Sequence, residues 1–296
     1  GSKLALIYAK KAREKILEVS KEFNIENVEI KKITTAGDLN QKDRLSEIGG
    51  KGLFSSKIEK ELLENKIHIA THALKDMPSD ETDGLLTNCF LKRNDPREVL
   101  ISKNKVKFDD LIQNSIIGTS SYRREFQLKN KRNDLKYKLI RGNVDTRIKK
   151  VNEDLFDAII LSCAGISLLN LDDHISQIFS INEIIPSAGQ GVIALQCKSD
   201  DIFIKKILKK INDYETFNNT LAERNVLKVL EGDCETAVGA ISMIKNGNIT
   251  LEAELFSLDG KERFYCKSSK DIKHAAELGI EIGENLKKQS KGSYKK

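Results

Sequence analysis

The chain has 296 residues, 39% hydrophobic and 32% charged, with a formal net charge of +6 from 50 Lys and Arg against 44 Asp and Glu. That length suggests about two domains, or three small ones, and that composition supports real apolar cores. No segment approaches the ~20 uncharged apolar residues of a bilayer crossing. With no Trp and 6% aromatics, no stacking platform for single-stranded nucleic acid is visible either.

In chain order, residues 3–23 have the spacing of an amphipathic helix, with Leu4, Ile7, Ile16, Leu17 and Phe23 on one side. "NVEIKKITT" follows as an expected strand. After the polar stretch "GDLNQKDRLSEIGGKG", "LFSSKIEKELLENK" is an expected helix. "IHIATHAL" is a strand stopped at Pro78, "GLLTNCFLK" is another, and "RNDPRE" has the look of a crossover between domains.

From residue 98 the alternation restarts. Strands "EVLIS", "SIIG", "YKLI" and "FDAIILS" are interleaved with helices "TSSYRREFQLKN" and "GNVDTRIKKVNE", which argues for a parallel α/β sheet. "IIPSAGQGVIALQC" enters a strand that could return to the first sheet, and "ETFNNTLAERNVLKVLEGD" is a long helix. "AVGAISMI", "NITLEAELFS" and "ERFYCKSS" are three strands whose Asn-Gly and Asp-Gly connections suit two-residue hairpins. A helix over about 271–288 and a frayed basic tail complete the chain. The expected architecture is two α/β domains and a small α+β third domain, a three-stranded sheet with helices. Its expected bounds are 1–92 with 190–211, then 97–186, then 213–296.

Ligands of α/β domains gather at the C-terminal ends of strands, where "THALKDMP", "IGTSSYRR" and "LIRGNVDTR" all fall. In "GTSSYRR", Thr119, Ser120 or Ser121 can cap the helix, and Arg123 and Arg124 follow in a first turn whose dipole disfavours cations. An anion bound there resolves the conflict; a solvated charged helix start is the plain alternative. Arg141 and Arg147 repeat the pattern in "RGNVDTR", and arginine forks suit carboxylates. Lys75 and Asp76 form an acid–base pair just past a strand, functional or merely superficial, and His72 is an ordinary core histidine or a cleft residue. "GGKGLF" lacks the pattern of a phosphate loop, and "GQGVIA" leads into a strand rather than a helix, so nucleotide binding is rejected.

The five cysteines, Cys89, Cys163, Cys197, Cys234 and Cys266, are scattered without a Cys-x-x-Cys pair, so neither a disulfide framework nor a metal site is expected. A reducing, cytoplasmic setting fits. Cys234 lies among Glu231, Asp233 and Glu235, whose charge disfavours a thiolate. It is a plain buried thiol, or it reacts once with a strong electrophile.

In this order and spacing, "GSKLAL", "GGKGLF", "HALKDMP", "DPRE", "IGTSSYRR", "RGNVDTR", "DAIILSCAG", "PSAGQG" and "LEGDC" resemble the porphobilinogen deaminase (hydroxymethylbilane synthase) family over nearly the whole chain. The resemblance implies that the first two domains are like periplasmic binding proteins. It implies a dipyrromethane cofactor held by a thioether to Cys234, made when an azafulvene electrophile alkylates the sulfur. It implies an enzyme that condenses four porphobilinogens head to tail onto that primer, with release of ammonia. Asp76 matches the catalytic aspartate. Lys75, Thr119, Ser120, Ser121, Arg123 and Arg124, with Asp76, match cofactor contacts. Ser2, Arg141, Arg147 and Gln190 match substrate contacts. The expected partners are porphobilinogen and the growing polycarboxylate chain, with no nucleic acid or membrane, and a monomer is expected. Leu168 stands where relatives often carry an arginine, and Ala237 where they often carry proline; the family's first strand and the arginine before "GSKLAL" are not in this sequence, which starts at Gly1. The rival readings are a non-catalytic binding protein for a small polycarboxylate and a nucleic-acid binder using the basic tail.

Overall fold

The computed structural model describes residues 2–34, 55–232 and 236–295. Helix α1 (Lys3–Glu18) starts at Ser2, whose hydroxyl accepts from the Ala5 amide at 3.1 Å. Its inner face buries Ala12 and Ile16. Among the described residues, 27–34 of the expected strand "NVEIKKITT" join none of the three sheets, and Val28 packs beside the α1 core. Helix α2 (Ser56–Leu63) and strands β1 (Ala70–Ala73) and β2 (Leu85–Phe90) follow.

The first sheet has the order β1-β8-β2, so β8 (Ile193–Lys198) returns late in the chain as its central strand, antiparallel to both neighbours. The second sheet has the order β5-β4-β6-β3-β7, from β3 (Glu98–Ser102), β4 (Ile116–Gly118), β5 (Lys136–Lys138), β6 (Ala158–Ser162) and β7 (Gln177–Ile178). The expected parallel sheet is in fact mixed. β4 runs parallel to β5 and β6, joined through helices, whereas β3 enters from a crossover and runs antiparallel to β6. Helices α3 (Tyr122–Lys129), α4 (Val144–Asn152) and α5 (Cys163–Leu168) each follow a strand of this sheet or its extension.

Two helices stand where none was expected from the sequence, and one of them carries clear sequence signals. In α6 (Ile202–Ile211), Asp201 caps the start and Ile204, Ile207 and Leu208 recur at helical spacing on the buried face. α5 is short and lies directly against β6.

Helix α7 (Tyr214–Leu230) crosses α8 (Ala275–Ser290) against the third sheet, order β11-β10-β9, from β9 (Val238–Lys245), β10 (Asn248–Phe256) and β11 (Arg263–Asp271). The β9–β10 turn uses Asn246 (φ 51°) and Gly247 (φ 77°), both left-handed as a tight hairpin demands. The β10–β11 connection corrects the two-residue expectation: pairing resumes at Phe256↔Arg263, leaving 257–262 as a longer loop. The loop folds onto α3, where a Cβ at Gly260 would lie 2.6 Å from the Phe126 ring. Ala237 is buried with Phe126 and Phe256 in the same contact. The basic tail is not frayed. Tyr294 is buried in the third core and donates its hydroxyl to the Leu230 carbonyl at 3.2 Å, and Leu258 N donates to Ser293 O at 2.9 Å.

Candidate active site

A cavity of about 560 Å³ opens between the first and second sheets, within the usual range for a small-ligand site. The starts of four helices reach it: Ser2 caps α1, Ser121 caps α3, Asn143 stands before α4 without a capping hydrogen bond and Ser162 precedes α5, and all four line its wall. Helix N-termini present unpaired N–H groups and partial positive charge, so together they favour an anion.

Ten of the twelve sequence-predicted residues line this cavity: Ser2, Lys75, Asp76, Ser120, Ser121, Arg123, Arg124, Arg141, Arg147 and Gln190. Thr119 is buried behind the wall, where its hydroxyl accepts from the Ser121 amide at 3.2 Å and so shapes the start of α3. Cys234 lies outside the described residues, as does "GGKGLF". Leu168 does not line the cavity, though the neighbouring Leu169 does.

The Lys75–Asp76 pair sits on a single 3₁₀ turn (Leu74–Asp76) that ends β1. Asp76 is exposed to the cleft, and its charge acts on Tyr8, His72, Lys75 and Arg147, groups drawn from both walls. Lys75 donates to Gln190 Oε1 at 3.3 Å. Burial pushes the Lys75 ammonium down to about 8, with Asp76 opposing and Arg124 adding to the shift. Arg147 is likewise lowered, to about 10, by burial and then by Arg124 and Arg141. Such crowding of cations is costly until an anion enters.

The two arginines of α3 resolve differently from the sequence expectation. The chain itself supplies an anion: Glu98, fully buried on β3, accepts from Arg123 Nη2 at 2.6 Å, and its other oxygen lies 2.8 Å from Arg124 Nη2 without hydrogen-bond alignment. Arg123 also donates to the Ile185 carbonyl at 2.9 Å, so its fork is largely occupied. Arg124 donates to the Ile160 carbonyl at 3.1 Å, but its buried Nε has no hydrogen-bond partner among the described residues. An orphaned buried donor on a cation that lines the cavity fits a carboxylate ligand.

Sequence reasoning missed several residues of the site. Glu98 was hidden in the quoted "DPRE". Tyr8 lines the cavity one helix turn beyond Leu4, and burial, reinforced by Asp76, pushes its phenol pKa up. His72, which the sequence had singled out, was not missed: it lines the cavity and is also held, Nε2 to Gln196 Oε1 at 3.1 Å; burial lowers its pKa, which favours the neutral ring. The glycines of "GQGVIA" serve the crossovers: a Cβ at Gly191 (φ 81°) would lie 2.6 Å from the Asn94 carbonyl oxygen. Among the described residues no group of His, Cys, Asp and Glu could hold a metal ion, and no helix is long and apolar enough to cross a membrane.

Comparison with known proteins agrees with this geometry. Residues 1–206 match the family model for the dipyromethane cofactor binding domain of porphobilinogen deaminase, and residues 217–288 match the model for its C-terminal domain. Curated relatives named porphobilinogen deaminase include one from Syntrophomonas wolfei, 42% identical over 98% of this chain and 94% of its own length. Another, from Staphylococcus carnosus, is 39% identical over 97% of this chain and 92% of its own length. The solved VFT2 domain of Bordetella pertussis BvgS aligns over 69% of this chain and 76% of that one, at 12% identity and a TM-score of 0.42, too slight a likeness to build on. The chain belongs to the porphobilinogen deaminase family.

Proposed function

We propose that the protein is a hydroxymethylbilane synthase. It joins four porphobilinogens head to tail, releases one ammonia with each addition, and frees the linear tetrapyrrole. The observation that carries this reading is the gathering of Lys75, Arg124, Arg141 and Arg147, with four helix starts, around the carboxylate of Asp76. Each pyrrole brings two carboxylates, so the ligand is a polyanion. Arginine forks can grip it at several points while its rings pass the acid.

The residues present fit a dipyrromethane: the cationic wall matches its carboxylates, and Arg124 Nε is an open donor. Lys75, Ser120, Ser121 and Arg124 would hold it, with Arg123 behind them, and Cys234 would be its point of attachment. When bound, it supplies the pyrrole end to which the first substrate is joined, and it stays with the protein when the product leaves. Arg141, Arg147, Ser2 and Gln190 would orient the incoming porphobilinogen. Asp76 stabilises the positive charge that develops on the substrate ring as ammonia departs, and it can accept the proton released afterwards. Its short link to the buried Leu74 keeps the carboxylate at the wall while leaving it open to the cleft.

We further read the protein as a cytoplasmic monomer acting on small molecules alone; the free thiols of Cys89, Cys163, Cys197 and Cys266 support a reducing setting. The non-catalytic binding alternative finds no support in relatives that are named as deaminases. The test is release of ammonia and hydroxymethylbilane from porphobilinogen. Wild type should yield both, and Asp76→Asn should melt like wild type yet turn over roughly 100-fold more slowly or worse. No product from wild type overturns the function; near-normal turnover by the variant removes Asp76 from its role.

A further inference from the structure

We infer that Arg224 is a positioning residue whose guanidinium clamps the backbone of the turn bearing Lys75 and Asp76, fixing the Asp76 carboxylate against helix α7. The inference rests on the proposed role of Asp76. The turn has little to hold it. Met77 N donates to Leu74 O at 3.1 Å, Leu74 N donates to Val192 O at 3.1 Å, and Pro78 brings no N–H to extend the pattern. Arg224 supplies what is missing. Its Nη1 lies 3.5 Å from the Leu74 carbonyl oxygen and 3.4 Å from that of Met77, and its Nη2 donates to the Pro78 carbonyl. One rigid fork thus spans the turn from its first residue to the second residue past its end, a geometry that guanidinium provides and an ammonium does not.

The helix that carries the fork is itself fixed. Glu223, the adjacent residue and fully buried, pairs with Arg93 at 2.6 Å, accepts from Gly189 N at 2.8 Å and accepts from Ser242 N at 2.9 Å. That ties α7 to both crossovers and to the third sheet. Gln190, next to Gly189, receives the Lys75 ammonium, so both members of the acid–base pair are referred to α7. α7 ends at Leu230, four positions before Cys234 in sequence. The acids Asp80 and Glu81, just beyond the turn, also act on Arg224 and oppose the lowering of its pKa by burial. Leu74 remains anchored in its own apolar cluster whatever happens to Arg224, so loss of the clamp should loosen the turn without unfolding the protein.

The test compares Arg224→Met and Arg224→Lys with wild type by steady-state kinetics, thermal melting and hydrogen–deuterium exchange. In Arg224→Met, kcat should fall roughly 10- to 100-fold, the size expected when a reacting group is misplaced by about 1 Å. KM should stay within about twofold, because substrate grip lies elsewhere. Exchange in peptides covering residues 74–79 should rise about tenfold, while β8 and α7 keep their protection. Arg224→Lys, with a single point donor, should recover part of kcat. Wild-type kcat in Arg224→Met, or unchanged exchange at the turn, overturns the inference. Should Arg224→Met fail to fold, Arg224→Lys decides by the same comparison. If wild type releases no product, the deaminase reading falls while exchange still decides whether Arg224 holds the turn.

Discussion

Glu98→Gln probes how the arginines of α3 can stand at the start of a helix. The change keeps the shape of the side chain and removes its charge. Arg123 loses a charged acceptor at 2.6 Å, and Arg124 loses the anion 2.8 Å away, in a place with no solvent to compensate. Burial pushes the Glu98 carboxyl up, and the two guanidinium groups together push it further down, to about 2 against an ordinary 4.5. That difference corresponds to roughly 3 kcal/mol of preference for the charged form. Removal of one partner from a buried ion pair costs about 3–5 kcal/mol by independent reasoning. Urea unfolding at pH 7 should therefore place Glu98→Gln about 3–5 kcal/mol below wild type. The pH dependence follows in sign. The folded value lies below the unfolded one, so the stabilisation is complete above 4.5 and is lost as pH falls from there towards 2. The gap between the two proteins should narrow across that window. A deficit below about 1 kcal/mol at pH 7, the size of an exposed pair, would refute the internal-anion account, as would a gap that ignores pH.

Two further outcomes follow from the site and the tail. The folded Lys75 ammonium loses its proton as pH rises through about 8, so turnover should fall above that pH in wild type and lack that limb in Lys75→Met; a flat wild-type profile from pH 7 to 9 removes the Lys75 charge from the working site. Deletion of residues 291–296 removes the buried Tyr294 ring and its hydrogen bond, and should lower stability by about 2–4 kcal/mol; an unchanged urea midpoint would restore the frayed tail.

Much of this molecule was legible because its patterning is local. The alternation of "EVLIS", "SIIG" and "FDAIILS" with polar helices gave the second sheet its strands, and the Asn246–Gly247 pair gave the tight hairpin. The site was legible as clusters at strand ends, since Lys75–Asp76, Ser120–Arg124 and Arg141–Arg147 are each contiguous in sequence. What escaped was long-range. Glu98 meets Arg123 across 25 positions, so the sequence posed the problem of paired arginines without naming the carboxylate that answers it. Arg224 reaches Pro78 across 146 positions, and Tyr294 reaches Leu230 across 64, so a basic tail with one tyrosine looked frayed. Of the strand expected at 27–35, residues 27–34 join no sheet among the described residues, since β propensity alone does not supply a partner strand. α6 is the exception, since its cap and period were present in the sequence.

The central claim is that a sulfur-tethered polycarboxylate occupies the cationic cleft beside Asp76. Intact-mass spectrometry with peptide mapping tests it most directly. The purified protein should carry the extra mass of two linked pyrroles on the peptide containing Cys234, and Cys234→Ser should lack both that mass and turnover. An unmodified wild-type protein that still makes hydroxymethylbilane, or an active Cys234→Ser protein, would contradict the account.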